Sequence, residues 1–238
     1  MPLILSFLDF MLACATVSLA LESANIVGYQ ANTVPSGWSI ITPCFVNVDG
    51  TDYKIDDFLL NGVDDTMATV QVMNPDGSWG TQGFWFNAYG DYPAGWFTDA
   101  TGLTPADIKL APGAAVMFST SANAATIQSA GQVPKIITRD IPSGWSMVGN
   151  ASVSTVAIDE ITLIGVEDTM ATVQVMNPDG SWGTQGFWFN AYGDYPAGWF
   201  TDATGLTPAD ITLAPGQSVM FSTSASGAKI VLPSALAK

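Results

Sequence analysis

The chain has 238 residues, room for one large or two small domains, and is 48% hydrophobic but only 11% charged. Its 21 Asp and Glu outnumber six Lys and Arg, and the resulting net charge of -15 argues against nucleic acid and anionic lipid as partners. It has no histidine, which removes the commonest general base, the usual serine or cysteine triads and most zinc sites.

In chain order, residues 1–24 read as a signal peptide: an apolar run ending in small residues, with cleavage expected after Ala15, Ala20 or Ala24. The run is short for a membrane span and is interrupted by Asp9, so no stable span is expected after processing. Of the two cysteines, Cys14 lies in this leader, leaving Cys44 without a disulfide partner. Ala151 takes the place of Cys44 in the second half of the chain, and a position accepting either reads as small and buried.

Beyond the leader the local signals are those of strands. Met67–Met73 alternates and is rich in β-branched residues. Asn74-Pro75-Asp76-Gly77 is a turn, with Pro presetting φ and Gly supplying a positive one. The return strand runs through Gly83–Tyr89, where a period of two puts Phe84 and Phe86 on one face and Trp85, Asn87 and Tyr89 on the other. Gly90–Gly95 turns again, and Leu110-Ala111-Pro112-Gly113 leads to strands Ala114–Thr120 and Thr126–Val133. Helix is minimal: Lys54–Leu60 and Thr104–Ile108 each suffice for one turn, the second with Thr104 as N-cap and Pro105 at the first helical position.

The dominant feature is a repeat. Residues 65–108 recur letter for letter as 168–211, and Val34–Ser39 is echoed by Ile141–Ser146. Packing alone does not hold surface positions identical, so a recent duplication or gene conversion is the reading adopted. The expectation is an all-β chain of two tandem antiparallel β-sandwich or barrel-like domains, at 25–133 and 134–238.

The opening Asn25-Ile26-Val27-Gly28-Tyr29 is followed by a Gly-Trp-Ser strand, an Asp-Asp-Phe-Leu-Leu turn, an aromatic hairpin and Leu-Ala-Pro-Gly before the last strands. In these words the chain resembles a loose group of secreted bacterial β-rich proteins whose mature chains open with an NIVGY-like motif. The resemblance implies export and a β-rich fold, and it transfers no catalytic or binding residue.

The aromatic cluster Trp79, Trp85, Tyr89, Tyr92 and Trp96 recurs as Trp182, Trp188, Tyr192, Tyr195 and Trp199. Two readings apply: core filling in a small disulfide-free domain, or a sheet-borne platform for sugar rings with polar groups alongside. The ligand-binding candidates are Trp85, Tyr89, Trp96 and Asn87, with Trp188, Tyr192, Trp199 and Asn190 as their copies; Trp85 and Tyr89 are the ones expected to be exposed. Asp91 and Asp99 are further acceptors for hydroxyls. Asn47–Asp52 with Asp56 faintly resembles a calcium loop, but Phe45 stands where the first ligand belongs and an Asp-Gly turn is the preferred reading. No metal, no cofactor and no catalytic residue is expected. The expected function is a secreted or cell-surface non-enzymatic protein with a structural, adhesive or assembly role. The alternative is a carbohydrate-binding module with one platform per repeat, and the expected partners are a polysaccharide or further copies of the chain.

Overall fold

The computed structural model describes residues 27–49 and 51–233, so the leader and the first two residues of the NIVGY motif lie outside the described residues. The described chain is all-β and antiparallel, and its only helical turns are 3-10 turns at Ile55–Asp57 and Ile158–Glu160. No described helix is long and apolar enough to cross a membrane.

The first half contains β1 (Val27–Val34), β2 (Gly37–Ile41), β3 (Tyr53–Lys54), β4 (Leu59–Asn61), β5 (Ala68–Met73), β6 (Trp79–Phe86), β7 (Gly95–Phe97), β8 (Lys109–Leu110), β9 (Val116–Thr120) and β10 (Ala125–Gln132). A five-stranded sheet, β2-β9-β5-β6-β7, faces a three-stranded sheet, β1-β10-β4, and β3 pairs with β8. Their inner faces meet in one core that includes Ile41, Val70, Trp85, Trp96, Val116 and Phe118 from the larger sheet and Val34, Leu60 and Ile127 from the smaller. The second half repeats the plan with β11 (Ile137–Ile141), β12 (Gly144–Gly149), β13 (Val156–Ala157), β14 (Thr162–Ile164), β15 (Ala171–Met176), β16 (Trp182–Phe189), β17 (Gly198–Phe200), β18 (Thr212–Leu213), β19 (Ser218–Thr223) and β20 (Ala228–Leu232). Its sheets are β12-β19-β15-β16-β17, β11-β20-β14 and β13-β18, around a second, separate core.

Two local expectations change. The one helical turn expected at Thr104–Ile108 is extended instead: the Thr98 N–H donates to the Thr104 carbonyl at 2.8 Å and the Ala106 N–H to that of Trp96 at 2.7 Å. Satisfying these groups against the edge strand β7 outweighs one isolated turn of helix, whose nucleation is unfavourable. The opening segment Ile26–Gln30, apolar and with few lysines to guard an edge, reads from the sequence as pairing either within its own domain, folded back on Gly37–Pro43, or with a neighbouring molecule. Instead β1 pairs along eight residues with β10, because Pro35 and Gly37 carry the chain round a corner from the small sheet into the large one. The tail segment β20 is central in its sheet, between β11 and β14.

The two halves meet through the outer faces of their large sheets, about a pseudo-twofold axis. The Trp38 N–H donates to the Pro178 carbonyl at 2.8 Å, and the Trp145 N–H donates to the Pro75 carbonyl at 2.8 Å. The Thr42 N–H donates to the Gly216 carbonyl at 3.0 Å, and the Gly149 N–H to the Gly113 carbonyl at 3.1 Å. Each contact is the other's copy under the repeat, as in the isologous interface of a symmetric dimer. The contacts also occupy backbone groups on the outer edges of β2 and β12, which would otherwise offer open ladders. Between them lie Ile40, Met117, Met147 and Met220, all buried, with Met73 and Met176 packed alongside. Flexible thioether chains suit a seam that two similar but unequal faces must share.

Candidate functional site

The alternation along β6 is as the sequence predicts, but its inside and outside are reversed. Trp85 is 2% exposed and stacks edge-on against Trp96, with ring centroids 5.4 Å apart; Trp96 in turn meets Phe118 at 6.4 Å. Phe84 and Phe86 are half-buried on the outer face, where Phe86 meets Phe97 at 5.5 Å. Trp188 and Trp199 repeat the core arrangement, again at 5.4 Å. The expected exposure of Trp85 is therefore corrected, and no flat face carries Trp85, Tyr89 and Trp96 together. The reason is that both faces of β6 carry aromatic side chains, so period alone does not orient them. The indoles are the larger apolar surface, and they fill the gap between the two sheets.

The polar groups beside these indoles serve the core. Asn87 Oδ1 accepts the Trp85 indole N–H at 3.1 Å, and Asn87 Nδ2 donates to the Val63 carbonyl at 3.0 Å. The Asn87 backbone N–H donates to Asp65 Oδ1 at 2.6 Å. Asn190 repeats two of these bonds, accepting the Trp188 N–H at 3.1 Å and donating its backbone N–H to Asp168 at 2.6 Å. A buried indole needs a partner for its single donor, and a side chain two residues on in the same strand supplies it. The backbone of Trp96 is held likewise, its N–H donating to Asp56 Oδ1 at 2.9 Å. Burial raises the Asp56 carboxyl above its ordinary range, while the Trp96 hydrogen bond acts in the opposite sense.

Tyr89 and Tyr192 fall on the other side of this division, each 85% exposed. Tyr89 and Tyr92 exchange two backbone hydrogen bonds at 3.0 Å around Gly90-Asp91. Gly90 has φ +60 in the first central position, as a type II′ hairpin turn requires. Each half thus holds a pair of exposed tyrosines, Tyr89 with Tyr92 and Tyr192 with Tyr195, on a hydrogen-bonded tip.

The acidic candidates are occupied by local structure. Asp49 Oδ1 accepts from the Thr51 N–H at 3.0 Å and its hydroxyl at 2.7 Å, the Asx pattern of a turn. The hydroxyl and N–H of Thr101 hold Asp99 well below the usual carboxylate range, at about 2, and Thr204 does the same for Asp202. Among the described residues no group of three or more Cys, Asp or Glu side chains is placed to hold a metal ion. Cys44 is buried beside Phe45 and Val133, and burial pushes its thiol up to about 12.

The sequence reading of the Gly-Trp-Ser words as plain strand missed one placement. Trp38 and Trp145 are each 42% exposed at the seam, with Trp38 over Gly180 and Trp145 over Gly77. The visible signal was that the word recurs in both halves together with the Pro-Asp-Gly turn it packs on. Among known protein families no model matches this chain, and no curated protein sequence matches it either.

Proposed function

We propose that the protein is an exported, non-enzymatic structural unit that presents paired tyrosine hairpins from a rigid twin-sandwich body at the cell surface or outside it. The observation that carries this reading is the reciprocal seam, whose four backbone hydrogen bonds and methionine layer hold the two halves in one fixed relation. A unit that binds by contact and assembly gains from such rigidity, because two identical tips held at one spacing engage a repetitive surface together. The tips supply the adhesive chemistry: tyrosine offers a large rigid contact area at little entropic cost, with a hydroxyl for hydrogen bonding. The partner is a polysaccharide surface or further copies of this chain. The aromatic-platform alternative loses its tryptophan members to the core.

The test is adsorption of the purified protein to insoluble polysaccharides and to itself, comparing the wild type with a Tyr89→Ser, Tyr92→Ser, Tyr192→Ser, Tyr195→Ser variant. Retention should fall at least tenfold in the variant with no change in melting temperature. Turnover of any member of a panel of glycans, esters and peptides overturns the reading, as does unchanged retention.

A further inference from the structure

The pairing of β1 with β10 leaves one side of β1 open. Gln132, at the end of β10, exchanges both of its backbone hydrogen bonds with Val46, its N–H donating at 2.8 Å and its carbonyl accepting at 3.0 Å. Those groups point away from β1, so Val27, which stands opposite Gln132, is not hydrogen-bonded to it. Along an antiparallel register bonded and non-bonded pairs alternate, and the register from Val27 to Val34 is unbroken. Gly28, Gln30, Asn32 and Val34 therefore direct their N–H and C=O groups to β10, while Val27, Tyr29, Ala31 and Thr33 direct theirs outward. All four outward residues are exposed, and among the described residues no strand pairs with that side of β1. The result is an open row of alternating donors and acceptors.

The repeat provides an internal control. Strands β1, β10 and β4 contain no Asp, Glu, Lys or Arg, and residues 23–48 are uncharged throughout, in a chain of net charge -15. The corresponding sheet of the second half is different. Its edge strand β11 is five residues long where β1 is eight, and the positions equivalent to Val27, Gly28, Asn32 and Thr33 hold Pro134, Lys135, Arg139 and Asp140. The exposed Asp140 carboxylate lies 3.3 Å from Lys229 of β20, so both charges sit at that edge. Proline and charged side chains are the usual means of blunting an edge strand. Both halves build the same sheets, so the fold itself does not require the β1 edge to be long and free of charge.

We infer that β1 is the contact surface for a second copy of this chain: two β1 strands pair antiparallel about a twofold axis beside Gln30 and join their two small sheets into one. In that register Val27 stands opposite Thr33 and Tyr29 opposite Ala31, so every outward backbone group of each strand meets a partner in the other. Tyr29, 63% exposed, comes to lie beside the small Ala31 of the other copy. Two copies of net charge -15 repel, and they approach best where neither presents a charge. The contact is isologous, so it closes at a dimer, and the blunted β11 edge offers no second site from which a fibre would grow. The dimer takes up the self-association side of the proposed function but uses none of its tyrosine tips.

Sedimentation equilibrium of the purified protein tests this, and a dimer should be present by about 100 μM. Amide hydrogen exchange read by NMR at low and high concentration should show Val27, Tyr29, Ala31 and Thr33 gaining protection as the dimer forms, with Gly28, Gln30 and Asn32 protected in the monomer as well. Ala31→Pro removes one outward N–H without touching a bond between β1 and β10. Tyr29→Lys with Ala31→Lys sets like charges opposite one another across the axis, and either change should weaken the dimer about tenfold or more. The lysine pair keeps every backbone group, so it decides the matter even if the proline variant fails to fold. Replacing Tyr89, Tyr92, Tyr192 and Tyr195 with serine should leave the dimer intact, so failure of the tips and failure of this edge are read separately. A protein that stays monomeric at up to about 1 mM, a dimer that survives the lysine pair, or open-ended polymers in place of a dimer overturns the inference.

Discussion

Gly37→Ala offers the sharpest test of the seam. Gly37 has φ +108, and a Cβ there would be driven into the Pro178 carbonyl oxygen, backbone that has no flexible end to swing aside. The strained backbone costs about 1–3 kcal/mol. Displacing that carbonyl costs the hydrogen bond it accepts from Trp38, about 1 kcal/mol more. The expected loss is therefore about 3 kcal/mol, or about 6–12 °C in melting temperature for a chain of this length. Gly90→Ala is the control: its φ is +60, but a Cβ there meets nothing within 4 Å, so only the backbone term of about 1 kcal/mol applies. Gly144→Ala, whose Cβ would collide with the Pro75 carbonyl, should match Gly37→Ala. The double variant should cost less than the sum, because both substitutions open the same interface. Urea unfolding followed by tryptophan fluorescence measures all four. If Gly37→Ala costs no more than Gly90→Ala, the seam does not hold the halves together.

Trp85→Ala should cost about 3–5 kcal/mol, since it empties the core and leaves Asn87 Oδ1 without its donor, whereas Tyr89→Ala should stay within about 0.5 kcal/mol; thermal melts compare them. Cys44→Ala should cost about 1 kcal/mol or less, as Ala151 already fills the equivalent place, and the wild-type thiol should react with a disulfide reagent only on unfolding. Because burial raises the folded Cys44 thiol from 9.0 to about 12, its contribution is intact below pH 9 and is lost as pH rises through that interval, a decline that Cys44→Ala should remove from a pH–stability profile. Asp56 is also raised by burial, so its ionisation weighs against the fold at neutral pH. Asp56→Asn, which keeps an oxygen for the Trp96 N–H, should stabilise at pH 7, with the gain vanishing below the ordinary value of 3.8. Asp99 and Asp202 act in the opposite sense: their depressed carboxyls contribute above 3.8, and that contribution is lost as pH falls toward 2, so an acid-melting series on Asp99→Asn with Asp202→Asn should lose this limb.

What the sequence determined was local. Strands β5, β6, β9 and β10 are set by period-two alternation and β-branched residues, and the Asn74–Gly77 turn by proline and by Gly77, which has φ +83. These signals act within a few residues, and they were legible twice because the chain states them twice. The burial of Cys44 was legible in the same way, from its replacement by Ala151.

Tertiary structure decided which side of each strand faces inward and what lies against the outer side. Along β6 the pattern defines two aromatic faces, but only the small sheet across the core and the Trp96 ring beside it make the Trp85 face the inner one. Trp38 is the fuller case. In sequence it is one residue of a strand; in the fold its N–H reaches Pro178 and its indole covers Gly180, both in the other half of the chain. No periodicity encodes such a contact. It arises where two nearly identical faces are pressed together, and Trp145 over Gly77 repeats it on the other side of the seam.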